Sequence, residues 1–377
     1  MKAEKRTTLV VNSEAVSRAA CSGASRPIFG IARPAEGVFQ ILSDRAEPGV
    51  FSRVGRVHPA RRPGLSLVAL TIADQKLFVE VDGIVSAPDE VLILSGSESI
   101  SDRRRGLVPE DGLGRFRVDL FGGGSLGGGA GLLLAQGGVG HIRVYDKDRF
   151  DTPNLTRHIC DMKDLGREKS VALAEKLSLH GVDSIGVTTD VTTLSDQQLD
   201  LLLKGSDLLL ATMDSPHAQF VVNEAAIRNK IPAVFAGAFE LACGGEIVVV
   251  RAGSGPCLFC AAGFRTGVLG GVQLAERRQA YQDAEQNKLE AEPGLGADIA
   301  YVSAVAAAYA LAVLDPNGSR STLLRNGHAF TLVHGGSQPR DSYADLFRVP
   351  FDVINARVVR DEPCPVCGYQ SPSEVTS

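Results

Sequence analysis

The stretch FRVDLFGGGSLGGGAGLLLAQGGVGHIRVYD, residues 116–146, limits the possible folds more than any other part of the chain. A short apolar run leads into Gly122-x-Gly124-x-x-Gly127. A small, Ala/Leu-rich segment follows, then a second apolar run ending on Asp146. This reads as strand, glycine turn, helix, strand. Such glycines permit a tight turn and let a phosphate approach the backbone, while the helix N-terminus supplies N–H groups and partial positive charge. Asp146 follows Gly127 by nineteen residues, at a strand end where a carboxylate accepts ribose hydroxyls. A nucleotide-binding unit is expected. The additional glycines from Gly128 to Gly131 are read as close helix–sheet packing.

The same alternation continues. GREKSVALAEKLSLHG reads as a helix, SDLLLAT as a strand, PHAQFVVNEAAIRNK as a helix and IPAVFAG as a strand. Repeated alternation of this kind predicts an α/β fold built on a doubly wound, mostly parallel sheet. The first hundred residues differ. Short apolar runs there (PIFGIA, GVFQIL, LSLVALTI, KLFVEV, EVLILSG) are separated by Gly, Pro and Arg, the pattern of several short strands. The polar stretch SESISDRRRGLVPEDGLGR marks a boundary. The expected domains are a smaller strand-rich N-terminal accessory domain, 1–105, and an α/β domain, 106–377.

A net charge of −5 argues against a broad nucleic-acid-binding surface. ADIAYVSAVAAAYALAVLD is bounded by Asp298 and Asp315 and reads as a buried core helix, so no membrane span is expected. The N-terminal twenty residues lack the apolar core of a secretory signal, and a cytoplasmic protein is expected. Of the seven cysteines, four form two CxxC pairs, Cys257 with Cys260 and Cys364 with Cys367. Four thiolates are the ligand set of a closed tetrahedral site, so a structural Zn²⁺ is expected.

Charges crowd the segment after the second strand. Asp148, Asn154, Arg157 and Lys169 follow Asp146, and Asp214 follows the strand SDLLLAT. Hydride transfer would need the ribose acid and little else. Cations beside an acid-rich strand end suggest a triphosphate with its metal, and Asp214 sits where it would reach Mg²⁺, a hard cation that prefers carboxylate and phosphate oxygen. Lys169 also has a plainer reading as a solvated helix charge, and Asp148 as a turn residue. Asp151 is read as a solvated loop charge.

Taken together, GGGSLG, GGVGHIRVYDKDRFDTPNLTRH, DLGREK and ATMDS resemble the adenylation domain of the ThiF/MoeB/HesA family, which includes ubiquitin-activating enzymes. The elements occur in order, with N-L-x-R six residues after Asp148, and the resemblance spans roughly residues 116–370. It implies a Rossmann-like adenylation domain in which Gly122, Gly124, Gly127, Asp146 and Asp148 hold ATP. Asn154, Arg157 and Lys169 would contact the phosphates, Asp214 would bind Mg²⁺, and Arg157, Lys169 and Asp214 would carry catalysis. The implied reaction joins a carboxylate to the α-phosphate of ATP.

The resemblance implies a homodimer. It also implies, as substrate, the C-terminal Gly-Gly carboxylate of a ubiquitin-like or sulfur-carrier protein. Enzymes resembling microcin-peptide adenylating enzymes offer a second substrate, a short peptide, and an inactive partner-binding homologue is a third reading. Some relatives supply an arginine from the neighbouring subunit. Arg103, Arg104 and Arg105 precede the glycine loop, though closer to it than in those relatives, and a solvated basic linker is the other reading. Thioester-forming relatives keep a cysteine after the first CxxC, whereas residues 261–300 contain none, which points to adenylation without a covalent thioester. Cys160 and Cys243 read as small core residues, and His158 stands where relatives often carry glutamine. The polar segment 266–292 is expected to be a mobile loop over the substrate tail. VGRVHPARRPGLSLVALTIAD resembles the histidine-proline segment of JAB/MPN metalloproteases without its second histidine and later Asp, which implies an inactive relative. A substrate- or partner-binding role is expected of this domain.

Overall fold

The computed structural model describes residues 7–21, 25–33, 38–43, 52–58, 61, 65–72, 75–82, 84, 88–94, 104, 106–109, 112–262, 293–325, 330–336, 347–361 and 363–368. The chain divides into two compact units, Met1–Arg103 and Arg104–Ser377.

Among the described residues of the first unit, seven strands form one sheet: β1 (Thr8–Asn12), β2 (Arg26–Arg33), β3 (Val38–Ser43), β4 (Ser52–His58), β5 (Val68–Ile72), β6 (Gln75–Val81) and β7 (Glu90–Leu94), in the order β5-β6-β4-β2-β3-β1-β7. The five apolar runs noted in the sequence fall on β2, β3, β5, β6 and β7. Strands β1 and β4 and the helix α1 (Ser13–Ala20) were not anticipated. Helix α1 places Val16, Ala19 and Ala20 into a core with Leu9, Val11, Ile28, Ile41, Leu77 and Val79. Strand β4, SRVGRVH, carries two arginines and a glycine among its apolar residues, which hides its period; its register against β2 and β6 is a tertiary effect.

The second unit carries eight strands among its described residues: β8 (Arg117–Phe121), β9 (His141–Asp146), β10 (Asp183–Thr188), β11 (Leu208–Ala211), β12 (Ala233–Ala238), β13 (Gly244–Val250), β14 (Phe330–His334) and β15 (Val353–Ala356). Their order is β10-β9-β8-β11-β12-β13-β14-β15. The first five are mutually parallel, and β13, β14 and β15 continue antiparallel. This is the α/β, doubly wound, mostly parallel sheet expected from the sequence.

Helices α2 (Ser125–Gly137), α3 (Lys169–Ser178) and α6 (Gly296–Leu314) contribute to the core on one face of the sheet. Helices α4 (Asp196–Leu203) and α5 (Pro216–Asn229) contribute to the core on the other. Strand β10 and helix α4 were missed in the sequence. Strand β10 is an edge strand whose residues are half-buried or exposed, so it lacks the continuous apolar run of its neighbours.

Helix α6 is the Ala-rich segment. It is long and apolar enough to cross a membrane, but Val302, Ser303, Ala306, Ala307 and Ala310 are buried in the core. The small side chains let α2 and α6 approach closely. A Cβ on Gly129 would come within 2.9 Å of Ser303 Oγ, and one on Gly137 within 3.2 Å of Leu311. Gly131 faces Leu120 and Leu177 in the same way.

One polar feature lies inside the sheet. Asp119 on β8 is fully buried and is the register partner of Arg143 on β9. Arg143 donates from Nε to Oδ1 at 2.6 Å and from Nη2 to Oδ2 at 2.5 Å, and Ser206 Oγ donates to the same carboxylate.

Candidate active site

Strands β8 and β11 are neighbours whose following helices, α2 and α5, go to opposite faces of the sheet. Ligands of doubly wound folds bind at the carboxyl ends of the strands flanking such a reversal. The glycine loop leaves β8 there.

The three motif glycines do different work. Gly122 adopts φ 94°, a left-handed conformation that favours glycine. Gly124 is the N-cap of α2, and a Cβ there would meet nothing within 4 Å. At Gly127 a Cβ would collide with the Gly122 carbonyl and lie 2.5 Å from Thr212 Oγ1. Thr212, just beyond β11, donates its hydroxyl to Gly122 O at 2.8 Å and so ties the two strand ends together. Helix α2 has neither a side-chain cap nor an acidic residue in its first turn, which leaves its N-terminus receptive to an anion. Gly127→Ala is expected to weaken ATP binding and to cost about 1–3 kcal/mol of stability through overpacking. Titration and denaturation check this; an unaltered variant would contradict the tight docking of α2 on Thr212.

Asp146 ends β9 beside this loop. Its Oδ2 accepts the Gly123 N–H at 2.7 Å and its Oδ1 accepts the Asp148 N–H at 2.8 Å. Burial pushes the carboxyl upward, and the Asp148 and Gly123 N–H groups and nearby Lys169 pull the other way. Asp148 is exposed and ion-paired: Lys169 Nζ lies 3.2 Å from its Oδ2, and the Lys169 N–H donates to its carbonyl at 2.9 Å. Lys169, at the start of α3, is therefore held beside Asp146.

Asn154 lies in a 3-10 turn, Thr152–Thr156. Asp151 caps that turn by accepting the Thr152 N–H at 2.7 Å, a structural role that its reading as a solvated charge missed. The Asn154 carbonyl accepts the N–H groups of Arg157 and His158, which carries the chain toward Arg157. Arg157 is half-buried and packs against Gly294 and Gly296 at the start of α6. Asp214 is exposed on the loop between β11 and α5, beside Ser215, the N-cap of α5. Hydrogen bonds thus join the glycine loop, Asp146, Asp148 and Lys169 directly. Thr212 and His158 belong to the same constellation, and Thr212 carried no signal in the sequence.

Arg104 packs against Gly138 at the opposite, C-terminal end of α2. Arg103, Arg105 and the segment 266–292 lie outside the described residues. Cys160 is buried, and burial together with nearby Asp164 raises its thiol to about 12, which removes nucleophilic character at neutral pH. Cys243 is buried beside the turn Glu240–Ala242. In the first unit, His58 lies between Ser25 Oγ at 2.7 Å and Glu80 Oε2 at 3.2 Å. Among the described residues no metal-ligating group gathers around it.

The four paired cysteines converge. Cys257 and Cys260 follow β13, Cys364 and Cys367 follow β15, and all four are buried. Sulfur–sulfur distances are 3.9 Å (Cys257–Cys260), 3.6 Å (Cys257–Cys364) and 3.5 Å (Cys260–Cys367). Ligands about 2.3 Å from a tetrahedral Zn²⁺ would be separated by about 3.8 Å, so the cradle fits zinc. Burial raises the thiols of Cys257 and Cys367, whereas N–H groups of Cys367 and Val366 and neighbouring thiols outweigh burial at Cys364 and lower it. Buried Asn223 on α5 accepts the Leu258 N–H at 2.9 Å and braces the first CxxC turn.

A doubly wound fold with an anion-receptive glycine loop, an acid at the end of the next strand and a buried four-cysteine cluster is the architecture of a nucleotide-binding α/β protein. Residues 102–338 match the model of the ThiF family, and the chain belongs to that family. Over 163 residues it is 32% identical to the adenylyltransferase and sulfurtransferase UBA4 of Yarrowia lipolytica, covering 42% of this chain and 40% of that protein. Over 146 residues it is 29% identical to the sulfur carrier protein ThiS adenylyltransferase of Bacillus subtilis, covering 38% and 43%. The chain thus spans about two fifths of the length of these relatives. Among solved structures, Escherichia coli MccB with AMPCPP and MccA is similar at TM-score 0.54 and 17% identity, over 72% of this chain and 75% of that one, a likeness of fold.

Proposed function

We propose that the protein adenylates the C-terminal carboxylate of a ubiquitin-like or sulfur-carrier protein with ATP, releasing pyrophosphate. The observation that carries this reading is the uncapped N-terminus of α2 beside Asp146 and Lys169 at one set of strand ends. Family membership and the adenylyltransferase names of the relatives support it.

A carboxylate is already ionised at neutral pH, so the reaction needs no strong general base. A carboxylate oxygen attacks the α-phosphorus, the bond to the bridging oxygen of the β-phosphate breaks, and pyrophosphate leaves with that electron pair. The difficulty is bringing two anions together, so positioning and cationic stabilisation dominate. In this reading Asp146 binds the ribose, the first turn of α2 receives phosphate, and Asn154, Arg157 and Lys169 neutralise developing charge. Asp148 holds Lys169 until nucleotide arrives. Asp214 would hold Mg²⁺, which supplies charge neutralisation at the phosphates.

The reading also includes a homodimer, a reducing cytoplasmic setting suited to the thiolates, and an N-terminal unit that engages the substrate or a partner. Pyrophosphate exchange with ATP and Mg²⁺, run against a panel of Gly-Gly-ending proteins and short peptides, tests it. Substrate-dependent exchange is expected, and Arg157→Ala or Asp214→Ala is expected to lower it by about 10²–10³-fold. The chain without residues 1–103 is expected to lose affinity for the protein substrate and keep its affinity for ATP. Tight ATP binding without exchange across the panel would defeat the adenylating reading for these substrates, and exchange with peptides alone would transfer it to a peptide substrate.

A further inference from the structure

His158 has no role in the chemistry above, yet the positions of its ring protons are fixed by its neighbours. It is buried, with Nδ1 3.0 Å from the Cys160 backbone nitrogen and Nε2 2.7 Å from the Gly123 carbonyl oxygen. A backbone N–H only donates and a carbonyl oxygen only accepts, whereas a neutral imidazole offers one donor and one acceptor. Only the neutral ring with its proton on Nε2 satisfies both contacts. The other tautomer would set lone pair against lone pair at Gly123 and hydrogen against hydrogen at Cys160. The imidazolium would keep the Gly123 bond and lose the Cys160 bond.

Gly123 is thereby held from both ends. Its N–H donates to Asp146 Oδ2 at 2.7 Å, and its carbonyl accepts from His158. In a trans peptide the carbonyl of one residue and the N–H of the next point in opposite directions. Fixing the Gly123 carbonyl on His158 therefore fixes the Gly124 N–H facing away from it. Gly122, in a left-handed conformation, and Gly124 flank this peptide, and no side chain of their own would stop the loop from turning.

We infer that His158 is a positioning residue: its neutral Nε2–H tautomer clamps the Gly123–Gly124 peptide and keeps the start of α2 presented to phosphate. The inference rests on the nucleotide reading of the glycine loop.

The surroundings favour the neutral ring. It lies tilted against Phe150, centroids 5.1 Å apart, and beside Gly128 of α2 and Ile159. Burial is the largest influence and lowers its pKa. Lys169 on α3 acts in the same direction, while the Gly123 hydrogen bond and Asp164 oppose it. The Cys160 thiol, raised by burial, adds no charge, and the Asp146 carboxylate lies across Gly123. A lowered histidine pKa keeps the neutral ring, with both of its bonds, at neutral pH, and protonation below that value breaks the Cys160 bond while the Gly123 bond stays.

Two measurements on the full chain test this. Nitrogen–carbon correlation spectra of the histidine rings in ligand-free wild type are expected to report the Nε2–H tautomer for His158, assigned by its absence in His158→Gln. Calorimetric titration with ATP and Mg²⁺ is expected to give His158→Gln, whose amide also donates and accepts, near wild-type affinity. His158→Phe keeps the ring volume without a donor, and is expected to bind about tenfold more weakly, the equivalent of one neutral hydrogen bond.

An Nδ1–H ring, or His158→Phe binding ATP as tightly as wild type, would overturn the clamp. If His158→Phe fails to fold, the ring spectrum decides, an Nε2–H ring supporting the clamp and an Nδ1–H ring overturning it. Wild type that takes up no ATP would instead defeat the nucleotide reading on which the inference rests.

Discussion

Removing metal from the four-thiolate knuckle, by chelation under reducing conditions or by Cys257→Ser, is expected to cost more stability than any other single change considered. The purified chain is expected to carry about one tightly held zinc. Metal binding to comparable structural sites is worth about 10–16 kcal/mol in isolated peptides, and that energy is folding energy because the site does not exist in the unfolded chain. Here the ligand pairs lie 107 residues apart, so the metal closes a loop that contains α6, β14 and β15. Without it, four buried sulfurs 3.5–3.9 Å apart have no common partner. The first CxxC turn would then be held by Asn223, by the Ala261 N–H on the Cys257 carbonyl and by the Asp361 N–H on Cys260 Sγ. Elemental analysis and thermal denaturation before and after chelation check this. A metal-free chain with an unchanged melting temperature would show that the thiols pack adequately by themselves.

Asp119→Ala is expected to destabilise the chain by about 3–5 kcal/mol, because it leaves the Arg143 guanidinium largely buried without its counter-charge. Arg143 donates twice to Asp119 and once more to the Leu202 carbonyl, and its guanidinium lies 5.6 Å from the Tyr145 ring centroid. Mutating one member strands the other, whereas replacing both removes the desolvated charges together. Asp119→Leu combined with Arg143→Leu is therefore expected to recover most of the loss. Denaturant titration of the single and double variants measures the coupling. A single variant within about 1 kcal/mol of wild type would mean that water reaches Arg143 and the pair contributes little.

Asp119 also shows where reading the sequence stops. A lone aspartate within FRVDLF has no local sign that Arg143 will lie beside it, because parallel register is set by the intervening helix and by the sheet as a whole. The glycine loop was legible for the opposite reason. Gly122, Gly124, Gly127 and Asp146 belong to one βαβ unit, and their spacing reflects the lengths of a turn, a helix and a strand. The strand alternation gave the α/β class and the parallel core. It missed β10 and α4, and in the first unit β1, α1 and β4, which are short or lack a clean apolar period.

By itself, then, the sequence determined the glycine loop and the acid that follows it, the family resemblance, and the two cysteine pairs that gather into one cluster. Each is a local spacing, and backbone geometry converts local spacing directly into a turn, a helix face or a knuckle. Tertiary structure decided that Cys257 and Cys364 meet, that Asp148 restrains Lys169, that Thr212 locks the glycine loop, and that His158 has one permitted tautomer. Each of these depends on which groups packing brings within hydrogen-bonding or ligand distance. Burial then dictates that such groups find partners, and no spacing along the chain encodes which partners they find.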